Sequence, residues 1–562
     1  MKVAVIGGGP AGLVTLKFLV EAHKYFPIPP IEARLFEIEP EIGGTFVYRT
    51  YEDAELVSSK YLTAFSDYRL PEEAADFVTP PVYAQYLKDY ATAFNLWSRI
   101  ECQTRVENIR RGLDGSGHLV TIRKLDGVSE WSCNAVAVCS GININPVIPA
   151  IPGIEQVPTV LHSSQIKDRT QFGKDTEVVV MGAGETGMDL VHLAVTSPTK
   201  SVTLCHRDGF FCAPKMISVP RVMGFLGKDT TSVPNKPVDT SVASLFDTAY
   251  VHPVLQRSQL LWTYYDRWIK KMHWLISGTE EGPDQWVGQM SQNRKYMDSI
   301  LLCKSDRALP YLNVGNRSKS WSNRLRTWFM NVPIKETGGK KIDVHTWPES
   351  IDEDGYMVFP NAISSSKHHT AETKIKPDIV VFATGAIPPL AELQAQFWIL
   401  RLLQNQFPKE VPTTLDPNAL TPYDLDYEIH ACHGYDFYND KRAVDHESYA
   451  YQLALDMGAA PTITHVMKKG WKVLFTWAMG SNFNTKFRMV GPWKWVAGAE
   501  SIMRNELFNV VKRSGGYVYL FTYSLVPFFL FGTLSITLYA WFGFWDLFAR
   551  PGRSQKSRQR NV

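Results

Sequence analysis

Twice in this chain an apolar β run leads into a glycine-rich turn and then into a helical stretch. The first copy runs Val3-Ala4-Val5-Ile6, then Gly7-Gly8-Gly9-Pro10-Ala11-Gly12, then a helix from near Leu13. The second runs Val178-Val179-Val180-Met181, then Gly182-Ala183-Gly184-Glu185-Thr186-Gly187, then a helix from Met188. A lone G-x-G-x-x-G also serves ordinary tight turns; a strand before each copy and a helix after it make it a nucleotide signature. The glycines let backbone approach a pyrophosphate, whose charge rests on free amides at a helix N-terminus. The expected fold class is therefore α/β, with two Rossmann-like dinucleotide-binding domains.

The two copies diverge at the end of the following strand, where the ribose is met. Arg34-Leu35-Phe36-Glu37 ends in a carboxylate, which accepts hydrogen bonds from ribose hydroxyls and repels a 2′-phosphate, so Glu37 suits FAD or NAD. Val202-Thr203-Leu204-Cys205-His206-Arg207 ends in a guanidinium, 207 − 187 = 20 residues past the last glycine, so Arg207 suits the 2′-phosphate of NADPH. The alternative for both is a solvated charge at a strand end. Two further runs, Ala135-Val136-Ala137-Val138 with Cys139-Ser140-Gly141 and Ile379-Val380-Val381-Phe382 with Ala383-Thr384-Gly385, read as crossover strands. They put Ser140, Gly141 and Gly385 where a cofactor passes close by. One FAD site and one NADPH site imply a flavoprotein that takes hydride from NADPH.

Composition narrows the remaining possibilities. With 562 residues and 45% apolar content the chain holds two to four domains and is neither disordered nor disulfide-stapled. A net charge of +3 gives no field for gripping a phosphate backbone, so nucleic acid is not an expected partner. The seven cysteines, at 102, 133, 139, 205, 212, 303 and 432, are scattered without a C-x-x-C pair, which suits a reducing compartment and counts against a dithiol oxidoreductase. His430-Ala431-Cys432-His433 lacks a second ligand pair, so no metal is expected, and His368-His369 reads as exposed linker.

Residues 514 to 545, 32 positions, carry no charge until Asp546 and are rich in Phe, Leu and Tyr. As helix they would reach about 48 Å, more than the roughly 30 Å of a hydrocarbon core. Pro527 is expected to mark a kink or the corner of a hairpin, and Tyr517, Tyr519, Trp541 and Trp545 flank the run as interfacial aromatics. A buried core helix or partner-binding tail is the alternative. Met1 to Leu19 is broken by glycines and lacks a cleavage site, so the expectation is a protein anchored by its C-terminus with its domains facing the cytosol.

These residues resemble the flavin-containing monooxygenases over most of the soluble chain. Gly43-Gly44-Thr45-Phe46 is similar to that family's GG-x-W segment beside FAD. Ser58-Ser59-Lys60-Tyr61-Leu62 with Phe65-Ser66-Asp67-Tyr68 resembles the next signature block, and Thr104-Arg105-Val106 the strand that meets the adenine. Asp445-His446-Glu447-Ser448-Tyr449 and Phe487-Arg488-Met489-Val490-Gly491-Pro492 resemble its C-terminal blocks, and many members carry a hydrophobic C-terminal anchor, for which the endoplasmic reticulum is the implied membrane. The resemblance implies that NADPH reduces FAD, that reduced flavin captures O2 as a C4a-hydroperoxide, and that an amine nitrogen or sulfur of a small organic substrate takes the distal oxygen. The cofactor then carries the difficult chemistry, so no side-chain nucleophile or acid is singled out. The implied cofactor contacts are Gly7 to Gly12, Glu37, Gly44, Thr45, Phe46, Val57, Ser58, Ser59, Val106, Ser140, Gly141, Gly182, Gly184 to Gly187, Arg207 and Gly385.

Three departures stand out. The F-x-G-x-x-x-H signature survives only as Gln156 to His162, with Ile166 where an aromatic is usual. The asparagine expected before Ser58-Ser59-Lys60 is Val57, which cannot replace an amide's hydrogen bonds; another polar group does so, or peroxide leaks and the enzyme is largely an NADPH oxidase. Finally, Ala383-Thr384-Gly385 runs directly into Ala386-Ile387-Pro388-Pro389-Leu390-Ala391-Glu392, where several dozen residues are usual, including a closing strand of the FAD domain. A Baeyer–Villiger oxygenase is the nearest rival, and Ile166-Lys167 in place of Trp-Pro weighs against it. The implied order is an FAD-binding part at 1–150, an NADPH domain at 151–377 with a helical insertion at about 209–330, a return to the FAD domain with a C-terminal extension at 378–513, the anchor at 514–547 and a basic tail at 548–562. The tryptophans at 262, 268, 274 and 286 are expected to pack an insertion core.

Overall fold

The computed structural model of the protein describes residues 1–112, 115–141, 146, 148–207, 336–360, 374–384, 391–411, 416–425, 446–513 and 520–548, with short pieces between 210 and 331. Its chain begins with strand β1 (Lys2–Ile6), helix α1 (Pro10–Tyr25), β2 (Glu32–Phe36) and the short β3 (Ile100–Glu101). An antiparallel meander of β4 (Arg105–Arg111), β5 (His118–Lys124) and β6 (Gly127–Cys133) leads to β7 (Ala135–Val138). The first sheet is parallel, in the order β3-β2-β1-β7, with Val3 opposite Ala33 on one side and Ala135 on the other. A parallel sheet is covered on both faces, which is why β1 is an unbroken apolar run. Val3 and Val5 pack with α1 and Leu35, while Ala4 and Phe36 face Val120 and Ile122 of the meander.

The chain then builds a second parallel sheet from β8 (Thr159–His162), β9 (Glu177–Met181), β10 (Ser201–His206), Asp343–Thr346 and Ile379–Phe382. Its order is 343–346, β10, β9, 379–382, β8. The helix Glu185–Thr196 covers one face through Val178 and Val180, and Ile351 and Met357 cover the other through Val179 and Met181. The equivalence with the first sheet is close: β9 stands where β1 stands, β10 where β2 does, and 379–382 where β7 does. β8 lies beyond 379–382, whereas among the described residues nothing pairs outside β7, and Val138 there is 67% exposed.

After Phe382 the chain returns to the first core. The helix Ala391–Gln406 packs on α1, and Leu393, Ile399 and Leu403 join a single apolar core with Trp477 and Trp493. Segments that read as family signatures lock this junction. Arg488, fully buried, donates from Nη1 to Ser66 Oγ (3.0 Å) and Asp67 Oδ2 (3.3 Å), from Nη2 to the Tyr25 hydroxyl (3.0 Å), and from Nε to the Trp493 carbonyl (2.7 Å). The buried Glu392 carboxylate accepts from the Ser66 amide and hydroxyl, and Lys17 Nζ lies 2.6 Å from Asp67. Lys60 of the Ser-Ser-Lys block donates to the carbonyls of Pro71, Glu72 and Ala74. These residues serve folding.

Between 209 and 330 the described residues form two-residue strand pairs and the short helices Pro253–Gln256 and Leu309–Asn313. Trp262, Trp274 and Trp286 lie outside them; Trp268 is half-buried and donates from Nε1 to Thr522 Oγ1 (2.8 Å). His368, His369 and the 430–433 cluster also fall outside, and among the described residues no side-chain group is arranged to hold a metal. At the C-terminal end, Val526–Phe548 is one helix, about 34 Å long at ~1.5 Å per residue. Pro527 turns no hairpin: it is the second residue of this helix, directly after the π-helical turn Leu520–Leu525, so the winding changes at the proline. Val526–Phe544 is long and apolar enough to cross a membrane and is 17% buried.

Candidate cofactor sites

Both glycine turns fall at the C-terminal edge of their sheets and open a helix. Gly7 has φ +108° and Gly182 φ +118°, and a Cβ on them would lie 2.4 Å from the Cys139 carbonyl and 2.5 Å from the Ala383 carbonyl. Each turn is therefore pressed against the strand that follows it in space, 135–138 or 379–382, and only glycine fits. One turn later Gly12 and Gly187 pack onto the carbonyls of Gly7 and Gly182, leaving 1.8 and 1.9 Å for a Cβ. Gly9 and Gly184, the residues before each helix, face open space instead, and neither helix start has a side-chain cap. Uncapped amides beside an open cradle fit a pyrophosphate.

The strand-end residues separate the two sites. Glu37 is buried; one carboxylate oxygen accepts the Gly8 amide and the other the Glu39 amide at 2.9 Å, so the acid is fixed under the first turn. Arg207 is exposed, its guanidinium stacked 4.5 Å from the ring centre of Trp347, which follows the neighbouring strand 343–346. Trp347 was not singled out in the sequence, because only sheet order brings it beside Arg207.

Gly44 closes over the first turn with its backbone near Gly9, Thr45 and Phe46 start the short helix Thr45–Tyr48, and Phe46 packs edge-on against Tyr83. Ser140 and Gly141 follow β7 and are exposed, and Val106 sits in β4 against the meander core. Val57 and Ser58 are half-buried. Ser59 is buried, with its amide donating to Asp239 Oδ2 (2.6 Å) and its hydroxyl without a partner. Gly385 lies outside the described residues.

Sequence reasoning missed a cluster of charges where the second turn meets residues 51–55. Tyr51 donates to Asp189 Oδ2 (2.8 Å), Lys215 Nζ reaches the Leu56 carbonyl (3.2 Å), and Arg307 contacts the Asp53 carbonyl and Glu55. Burial pushes the Glu185 carboxyl up to about 7 against the pull of Lys304 and Lys215, and pushes Asp306 up to about 6. Asp189 is raised by burial as well. The signal available in sequence was Glu185 and Asp189 one helical turn apart; their partners come from other segments.

A flavin-binding monooxygenase-like family model matches residues 1–220. The chain is 42% identical to the monooxygenase cfoE of Aspergillus candidus over 589 aligned positions, covering 96% of this chain and 98% of that protein. It is 41% identical to the monooxygenase ptmN of Penicillium ochrochloron, covering 96% and 94%. The chain belongs to the flavin-containing monooxygenase family. Human flavin-containing monooxygenase 2 is a more distant relative, 24% identical over 91% of this chain and 92% of that protein. As a member of this family the protein is an oxidoreductase whose cofactors are FAD and NADPH. The alignment with cfoE is longer than the part of this chain it contains. Of its 589 positions this chain supplies 96% of 562, about 540, and 589 − 540 leaves about 49 that the relative fills and this chain does not.

Proposed function

We propose that this protein is an NADPH-dependent flavoprotein monooxygenase, of the dimethylaniline monooxygenase type, that oxygenates a nitrogen or sulfur nucleophile of a small organic substrate. The observation that carries it is the pair of equivalent glycine turns that differ at one residue, Glu37 in the first and Arg207 in the second. In this reading each sheet is a dinucleotide-binding Rossmann-like domain. The α1 amides and Gly44 hold the FAD pyrophosphate, and Glu37, fixed by the amides of Gly8 and Glu39, accepts the ribose hydroxyls. The amides opening Glu185–Thr196 hold the NADPH pyrophosphate, and Arg207, kept flat by Trp347, pairs with the 2′-phosphate. When bound, FAD reduced by NADPH would activate O2, one atom of which would pass to the substrate and the other to water. The domain limits stay those given by the sequence: 1–150 and 378–513 for FAD, 151–377 for NADPH with its insertion, 514–547 for a membrane anchor. Val526–Phe544 supports the last, with the domains on the cytosolic face of the endoplasmic reticulum.

A second reading, an NADPH oxidase that releases peroxide, is favoured by Val57, whose apolar side chain replaces an amide. The test is the visible spectrum of detergent-purified protein under anaerobic conditions, with NADPH and then NADH. Bleaching by NADPH alone supports both nucleotide assignments. Product analysis with an amine, a sulfide and a ketone, alongside peroxide yield, then separates oxygenation of nitrogen or sulfur from Baeyer–Villiger chemistry and from oxidase activity. A protein that takes up no flavin even after reconstitution with FAD overturns the reading.

A further inference from the structure

Two cysteines, 303 − 212 = 91 positions apart, meet at the base of the insertion. Cys212–Ala213 pairs in parallel with Cys303–Lys304, with Cys212 directly opposite Cys303. Residues in register on adjacent strands point to the same side, with strands about 4.8 Å apart. That spacing lies within the Cα separations of about 4.4–6.8 Å that a disulfide spans. The two thiols are hydrogen-bonded to each other and both are buried, in the core that packs beneath the helix Glu185–Thr196. The Glu185 carboxylate accepts the backbone N–H of Lys304, the residue beside Cys303. The segment that the two strands enclose holds His252, Tyr264 and Trp268, all of which touch the C-terminal helical segment: the His252 amide donates to Ser535 Oγ at 3.0 Å, and Tyr264 and Trp268 bond Thr522.

We propose that Cys212 and Cys303 form a modification site, a buried dithiol that hydrogen peroxide converts to a disulfide closing the base of the insertion. One sulfur attacks the O–O bond of peroxide; an S–O bond forms, the O–O bond breaks, and the departing hydroxide takes the thiol proton and leaves as water. The other sulfur then attacks the resulting sulfenic acid; the S–S bond forms, the S–O bond breaks, and the second thiol proton leaves with the oxygen as water. Two thiols are oxidised and one peroxide is reduced to two waters. Contact between the sulfurs favours the second step over further oxidation of the first. The hydrogen bond with Cys212 and burial both push the Cys303 thiol up, so thiolate is scarce and the pair reacts slowly. Other cysteines provide the contrast. Cys205 stands opposite Met181 and His345, and Cys102, Cys133 and Cys139 stand on the first sheet or its flanks without a cysteine opposite them in register.

The test uses full-length protein in detergent, treated with hydrogen peroxide, denatured in N-ethylmaleimide, digested and weighed before and after dithiothreitol. The expected result is a linked peptide pair containing Cys212 and Cys303, lighter than its two thiol peptides by two hydrogens and separated by the reductant, with Cys102, Cys133, Cys139 and Cys205 alkylated. Cys303→Ser should remove the linked pair. Alkylation of both Cys212 and Cys303 after peroxide treatment, a sulfinic acid on either, or linkage of either to a different cysteine overturns the proposal. The wild-type protein carries the decisive readout, so a variant that fails to fold leaves the test intact.

Discussion

Glu185 is an acid whose charge the fold opposes. It is the first residue of the helix Glu185–Thr196, and burial pushes its carboxyl from an ordinary 4.5 to about 7 despite the nearby Lys304 and Lys215. A raised carboxyl binds a proton more tightly in the folded than in the unfolded chain. Its contribution to stability is therefore fully present below pH 4.5, falls as pH rises toward 7, and stays lost above it. The change from 4.5 to about 7 at 1.36 kcal/mol per pH unit corresponds to about 3 kcal/mol. Glu185→Gln keeps an oxygen to accept the Lys304 amide and cannot ionise. The variant is expected to be more stable than the wild type by about 2–3 kcal/mol at pH 8, with the difference shrinking below about 1 kcal/mol at pH 5. Urea unfolding of both proteins in detergent, followed by fluorescence at the two pH values, measures it. Equal differences at pH 5 and pH 8, or a variant less stable at pH 8, would refute the claim that burial of this carboxylate dominates its surroundings.

Removing Arg488 leaves Asp67 and Glu392 buried without their shared cation, so Arg488→Ala should cost about 3–5 kcal/mol. Arg488→Lys should not rescue it, because one ammonium cannot reach the Trp493 carbonyl, Tyr25 and Ser66 together; thermal melts of both variants check this. Arg207→Ala should raise the KM for NADPH about 10- to 100-fold and leave that for NADH unchanged, the loss of one charge-assisted pair; initial rates with each nucleotide decide. Tyr51→Phe withdraws the donor from Asp189 and should lower stability by about 1–3 kcal/mol, read by urea unfolding.

What could be read from the sequence follows from how local each cause is. The two turns were legible because a glycine requirement is set by a few ångströms of backbone, and Gly7 and Gly182 repeat the same collision with the next strand. Glu37 and Arg207 were legible by spacing within one strand–turn–helix–strand unit. The Arg488 network was not: its partners at 17, 25, 66, 67 and 392 meet only after the chain has left the first sheet and returned. The sequence therefore presented as family signatures residues whose contacts are those of a buried ion network. The pairing of Cys212 with Cys303 was not legible for the same reason, since spacing along the chain says nothing of register across strands. Pro527 was legible in part: a proline inside an apolar run marks a change of backbone, and the π-helical turn Leu520–Leu525 gives way to the α-helix there.

The sheet order gives the junction after Thr384 a physical consequence. In the second sheet the strand 379–382 is flanked by β9 and β8; its counterpart β7 is flanked by β1 alone among the described residues, and Val138 is left 67% exposed. In the proposed reading the adenosine end of FAD rests on the Gly7–Gly12 turn and Glu37, which lie on the β1 and β2 side. In the same reading the flavin end extends past Ser140 and Gly141, which are exposed beside that edge. Binding should therefore divide: ADP, which carries only the adenosine and pyrophosphate, should bind about as well as to cfoE, while FAD should bind more weakly to this chain than to cfoE by at least about tenfold, or 1.4 kcal/mol. Fluorescence titration of flavin-stripped preparations of both proteins measures the ratio. Equal FAD affinities would mean that another segment closes the β7 edge, and weaker ADP binding would place the defect in the glycine turn instead.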